Sequence, residues 1–87
     1  MLRERHQKQI SARLNRIRGQ VEGIKKMINE PRYCVDILNQ VAAVRAALQG
    51  VGRMVLEDHL KTCVTRAIKR NGGHKEIKEL MDVFKKL

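Results

Sequence analysis

The sequence predicts an all-α protein, a three-helix protomer with a long central helix, in a single domain over residues 1–87. Apolar residues recur at helical spacing along most of the chain, and the only strong breaks are one proline and a glycine pair near the end. A composition of 43% hydrophobic and 32% charged residues suits soluble helices, and no segment reads as a strand.

The first helix follows from Ile10, Leu14, Ile17, Val21, Ile24 and Ile28, whose steps of 4, 3, 4, 3 and 4 make one amphipathic seam. Pro31 is expected to end this helix or, more usefully, to open the second at its first position, where a missing N–H costs nothing. The short connection makes helices one and two antiparallel neighbours. From Arg32 to Arg70 there is no proline, and Ile37, Leu38, Val41, Val44, Leu48, Val51, Val55, Leu56 and Leu60 keep helical spacing. Unbroken, that span measures roughly 58 Å at 1.5 Å per residue. The weak point is "GVG" at 50–52, because each glycine in a helix costs about 1 kcal/mol relative to alanine. Val51 keeps the apolar period across it and no Pro, Asn, Asp or Ser stands beside it, so the helix is read as continuous. "NGG" at 71–73 is a stop, after which Ile77, Leu80, Met81, Phe84 and Leu87 mark a short third helix.

A chain of 87 residues is near the size at which subunits share their burial, so an oligomer is expected. The net charge of +10 suits a polyanion, namely DNA, RNA or an anionic membrane. The first 33 residues hold nine Lys/Arg against three Asp/Glu. One Tyr, one Phe and no Trp disfavour modes of binding that stack bases on aromatic rings. No apolar run approaches ~20 residues, so nothing is expected to span a bilayer and no membrane partner is expected, and "MLRERHQKQI" has no secretory features. The expected compartment is therefore the cytoplasm, where two widely spaced cysteines read as ligands, redox sensors or small buried hydrophobes rather than a disulfide framework.

In "EDHLKTCV", residues 57–64, His59 and Cys63 share one helical face. The other cysteine, Cys34, lies 25 residues before His59, roughly 38 Å away along a continuous helix. A tight hairpin at Val51 would still leave it roughly 8 to 14 Å out of register. An antiparallel partner related by a two-fold axis near residues 47 and 48 places Cys34 of one chain against residues 59–63 of the other. Small residues Ala42, Ala43, Ala46, Ala47 and Gly50 are expected to let the two helices approach there. Two thiolates and one imidazole suit Cu(I), whereas structural zinc usually takes a fourth protein ligand; zinc with a water stays open. Spacing alone leaves each cysteine readable as a small hydrophobe and His59 as a solvated side chain.

These residues resemble the copper-sensitive operon repressor (CsoR) family of bacterial transcriptional regulators, from "RLNRIRGQVEGIKKMI" through "YCVDILNQVAAVRAAL" to "DHLKTC" and the closing helix. The resemblance implies an antiparallel homodimer that pairs into a homotetramer. It also implies Cu(I) bound by Cys34 of one subunit with His59 and Cys63 of the other. Tyr33 and Glu79 match positions that orient the histidine and couple metal binding to the last helix. Nickel- and cobalt-sensing relatives carry an N-terminal histidine at a position occupied here by Leu2, so His6 and His74 are expected to be solvated surface residues. Persulfide-sensing relatives lack His59 and formaldehyde-sensing relatives do not use Cys63.

No helix-turn-helix pattern is present, so a basic surface is expected to meet double-stranded operator DNA, through Lys8, Arg13, Arg16 and Arg18 of the first helix and Arg53 of the second. The metal-free protein is expected to hold its operator and to release it on binding Cu(I). The alternative is a thiol or persulfide switch in which Cys34 and Cys63 crosslink subunits. The chain has no Gly-rich phosphate loop, acidic dyad or Ser/His/Asp set, which argues against an enzyme.

Overall fold

A computed structural model describes residues 2–87. Helix α1 spans Glu4–Ile28 and α2 spans Cys34–His59; a π-helical turn, Leu60–Val64, leads into α3, Thr65–Asn71, and α4 spans His74–Phe84. Backbone angles stay right-handed helical across His59, Leu60, Val64 and Thr65, so α2, the π turn and α3 form one helical body. That body is about 57 Å long at 1.5 Å per residue and accounts for the molecule's 58 Å long dimension. The expected three helices are therefore present, and the long one runs straight through Gly50 and Gly52.

Pro31 does not open α2. The Arg32 N–H donates to the Glu30 carbonyl at 2.8 Å, closing a three-residue turn centred on the proline, and the helix starts after Tyr33. The fixed φ of proline suits the centre of such a turn. The first helix also begins earlier than its seam indicates, at Glu4 rather than Ile10. At the other stop the structure matches the sequence: Gly72 and Gly73 have φ of 85° and 72°. A Cβ at Gly73 would lie 2.7 Å from Ile68 Cγ1, so that position needs glycine for space as well as for conformation.

Helices α1 and α2 pack antiparallel: Arg3 and His6 meet Asp58, while Arg13 lies against Gly50. The buried core is small, comprising Ile10, Ile17, Val44, Val64 and Ala67. Only alternate members of the α1 seam point inward, while Leu14, Val21 and Ile28 are exposed. On α2 the inward stripe is Ile37, Val44, Ala47, Val51, Met54 and Asp58. Helix α4 folds back along α2, with Gln49 Nε2 donating to the Leu87 carbonyl at 3.3 Å, but its Met81, Val83 and Phe84 remain exposed. The radius of gyration is 17.3 Å. A compact chain of this length would give about 12 Å, so the protomer is elongated and leaves large apolar side chains exposed.

Candidate functional site

The three predicted donors lie on one helical body. Cys34 is the first residue of α2 and is exposed; His59 is the last and is half-buried; Cys63 follows inside the π turn, also half-buried. Both cysteines are free thiols. The structure therefore keeps His59 and Cys63 within about a turn of each other at one end of the helical body and holds Cys34 about 38 Å from His59 along the axis. Among the described residues no group of three or more His, Cys, Asp or Glu in one chain could hold a metal ion. At 3.6 residues per turn, Cys34, Leu38, Val41, Arg45, Leu48, Gly52, Val55 and His59 follow one stripe, roughly a quarter-turn from the stripe packed on α1. From Cys34 to Leu48 the stripe is exposed; beyond, it passes beneath α4, where Leu87 lies over Gly52.

The small residues do not lie on that stripe. By the same helical phase Ala43, Ala46 and Gly50 fall on the opposite flank of α2 while Ala47 belongs to the stripe packed on α1, and a Cβ at Gly50 would lie 3.7 Å from the Arg13 guanidinium. The ligand-bearing stripe carries Leu38, Val41 and Leu48 instead. Small residues cluster in the same helical turns as the expected crossing, but a register position says nothing about which side of the helix makes it.

Two threonines account for the π turn. The Thr62 hydroxyl donates to the Asp58 carbonyl at 2.8 Å, and the Thr65 hydroxyl donates to the Leu60 carbonyl, five residues back, at 2.7 Å. Side-chain donors that take helix carbonyls compensate for the disturbed backbone ladder, which is how one extra residue fits into the turn. Such bulges recur at functional sites. Here the bulge changes the phase between His59 and Cys63, and Thr62 Oγ1 sits 3.6 Å from Cys63 Sγ. The signal was present as Thr62 and Thr65 flanking Cys63, but hydroxyl spacing alone does not specify a bulge.

His6 is not a solvated residue. Asp58 is fully buried, and its carboxylate accepts the Arg3 backbone N–H at 2.8 Å, pairs with the Arg3 side chain and lies 2.8 Å from His6 Nδ1. Burial pushes the Asp58 carboxyl up, but the hydrogen bonds from the Arg3 backbone, the Arg3 side chain and His6 together hold it below the ordinary aspartate range. The clasp fixes the start of α1 to the residue next to His59. An acidic residue on the inward stripe of α2 was the available sequence signal. His74 is exposed, as expected.

Glu79 lies near His59: both line a cleft of about 250 Å³ between α2 and α4, together with Val55, Leu56, Leu80 and Phe84. Tyr33 sits at the other end of α2, is 71% exposed and has no access to His59 in its own chain. Lys8, Arg13, Arg16, Arg18 and Arg53 are all exposed. They do not form one continuous face. At about 100° per residue, Arg13 and Arg16 share a flank of α1, Arg18 lies on the opposite flank, and Lys8 points away from α2 near Glu4. Arg13 reaches Gly50, one helical turn from Arg53, so these two belong to neighbouring surface.

The family model described as metal-sensitive transcriptional repressor matches residues 6–86. The chain is 55% identical over 78 residues to the copper-sensing transcriptional repressor CsoR of Bacillus subtilis (strain 168), covering 90% of this chain and 77% of that protein. The crystal structure of the copper-sensing repressor CsoR with Cu(I) from Geobacillus thermodenitrificans NG80-2 superposes with a TM-score of 0.90 at 44% identity, covering 99% of this chain and 90% of that one. The nickel-responsive transcriptional regulator InrS gives a TM-score of 0.76 at 40% identity, covering 91% of this chain and 89% of that one. On the match across residues 6–86 and the identity to the Bacillus protein, this chain belongs to the family of metal-sensitive transcriptional repressors, which are not enzymes.

Proposed function

We propose that the chain is a Cu(I)-responsive repressor that binds double-stranded operator DNA when metal-free and releases it on binding the metal. One observation carries the reading: a thiol and an imidazole lie at opposite ends of one α2 stripe, with the second thiol in the π turn beyond the imidazole, so the set is completed only between antiparallel subunits. The donor set fits the ion, since sulfur ligands with one imidazole and no carboxylate favour a soft monovalent metal. The relatives named as copper-sensing support the same choice. Cys34 of one subunit and His59 and Cys63 of the other hold the ion, while Glu79 stands beside His59 and Tyr33 enters from the opposite chain with Cys34.

The working unit is a homodimer through the Leu38, Val41 and Leu48 stripe, paired into a homotetramer through the remaining exposed apolar faces and acting in the cytoplasm. Arg13, Arg16 and Arg53 contact DNA phosphates, and Lys8 and Arg18 add to the attracting field. When bound, Cu(I) supplies bonds that join donors of two subunits. Drawing the ends of paired α2 helices together tilts α1, because Arg3 and His6 tie its start to Asp58 beside His59. The tilt takes the arginines out of register with the phosphates. A switch from 1:99 to 99:1 needs a difference of ~5.5 kcal/mol between the two states, and DNA must weaken metal binding by the same coupling energy.

An anaerobic titration tests this, using reduced protein on a labelled duplex recovered by selection from a random-sequence pool. Cu(I), Zn(II), Ni(II) and persulfide are added in separate runs. Release at about one Cu(I) per subunit, abolished in Cys34→Ala and weakened in His59→Ala, is the expected result. Release by persulfide alone, with copper inert, would overturn it.

A further inference from the structure

Outside the candidate metal site and the arginines of α1, a second charge concentration lies along the helix that leaves the π turn. From Lys61 to Lys75 the chain carries five Lys/Arg and no Asp or Glu, a local +5 within a net charge of +10. Three of those cations converge: Lys61, Arg66 and Lys69, with Thr62 and Thr65, line an open groove of about 350 Å³. Lys61 also lines a second groove of about 280 Å³ with Arg3, Arg5, His6 and Glu57. The two grooves therefore join at Lys61 into one cationic track, from the start of α1 across the π turn to α3.

Little on the track offsets this charge. Asp58 is buried and engaged by Arg3 and His6, leaving Glu57 as the exposed carboxylate in the grooves. Its bond to Lys61 at 2.9 Å is a solvent-exposed pair, of a kind that contributes little. The threonine hydroxyls donate inward to carbonyls, so they shape the groove and leave anion contact to the cations. Basic residues in the last turn of α3, Lys69 and Arg70, also complement the carbonyl end of that helix. That effect fades within one turn, and it does not explain Lys61 or Arg66.

We propose that this track is a second phosphate-contacting surface, which takes the sugar-phosphate backbone of duplex DNA in addition to the α1 arginines. The proposal rests on the repressor reading above. A groove lined by one sign of charge concentrates potential, and a duplex presents phosphates in a continuous row. Point-charge contacts of this kind position DNA without reading its sequence. Lys61 follows His59 by two residues, so a change at the metal-binding turn acts on this surface directly as well as through α1.

The test compares operator and random-sequence duplex binding across a KCl series for wild type, Arg66→Gln/Lys69→Gln, the charge-keeping Arg66→Lys/Lys69→Arg, and Arg13→Gln/Arg16→Gln. Arg66→Gln/Lys69→Gln is expected to weaken both duplexes in the same proportion, by about tenfold at low salt, and to reduce the log–log salt slope by about 0.9 per lost phosphate contact. The charge-keeping variant should bind like wild type, and Cu(I) stoichiometry should be unchanged in both. Lys69→Gln alone should give part of the slope change, which covers the case in which the double variant does not fold. Unchanged affinity and slope in Arg66→Gln/Lys69→Gln, alongside weakened binding by Arg13→Gln/Arg16→Gln, would overturn the track and leave the repressor reading intact. A wild-type protein that binds neither duplex would overturn both.

Discussion

At its N-terminal end, α2 emerges from the Pro31 turn with Tyr33 and Cys34 exposed, and its first buried residue is Val44. At its C-terminal end, Asp58, Val64 and Ala67 are buried, Arg3 and His6 close over the carboxylate, and two threonine hydroxyls hold a π turn around Cys63. Each end contributes donors to the same candidate site. In the proposed dimer the anchored end presents two of them with little freedom left to lose, while the open end presents the third to a different chain. Ordering a side chain costs entropy, so a site whose larger half is already fixed leaves most of that cost to the Cys34 end and to the encounter of subunits.

The largest expected effect comes from breaking the stripe that brings the unlike ends of two chains together. Leu48 lies near the expected two-fold axis, so Leu48→Asp sets two carboxylates face to face in the dimer. Sedimentation should then report the 10.0 kDa monomer, and Cu(I) affinity should fall by orders of magnitude although every donor is present. An assembled Leu48→Asp protein with normal affinity would remove this stripe from the interface.

A mixing experiment sharpens the comparison with a smaller signal. Cys34→Ala and Cys63→Ala homodimers should each lose tight Cu(I) binding. A heterodimer of the two keeps one intact site, made from Cys34 of one chain and His59 and Cys63 of the other, and should recover about half the wild-type stoichiometry. A site formed within one chain would recover nothing.

The smallest effect is expected at the anchored end. Asp58→Asn removes the charge that holds Arg3 and His6 while keeping the side-chain shape. It should lower Tm modestly and increase amide exchange at the start of α1, leaving the Cu(I) stoichiometry unchanged. Calorimetry and hydrogen exchange would read this, and an unchanged exchange rate at Arg5 to Gln7 would mean that the clasp does not hold the helix start.

By itself the sequence determined the helical elements and offered the candidate donors. A 3.6-residue apolar period is local and survives two glycines, so the long helix through Gly50 and Gly52 was legible, as was the stop at Gly72 and Gly73. Helical rise alone separated Cys34 from His59 by more than any single chain can bridge, and the softness of the ligands pointed to a soft metal. Tertiary structure decided the rest. The Arg3–Asp58 bond joins residues 55 apart in sequence, and nothing local marks His6 as its companion. The π turn depends on which carbonyls Thr62 and Thr65 reach, and Pro31 closes its own turn instead of starting a helix. The flank of α2 that carries Ala46 and Gly50 was fixed only once α1 had packed, because a helix offers several faces and the one that buries most apolar area against its neighbour sets the direction of all the others.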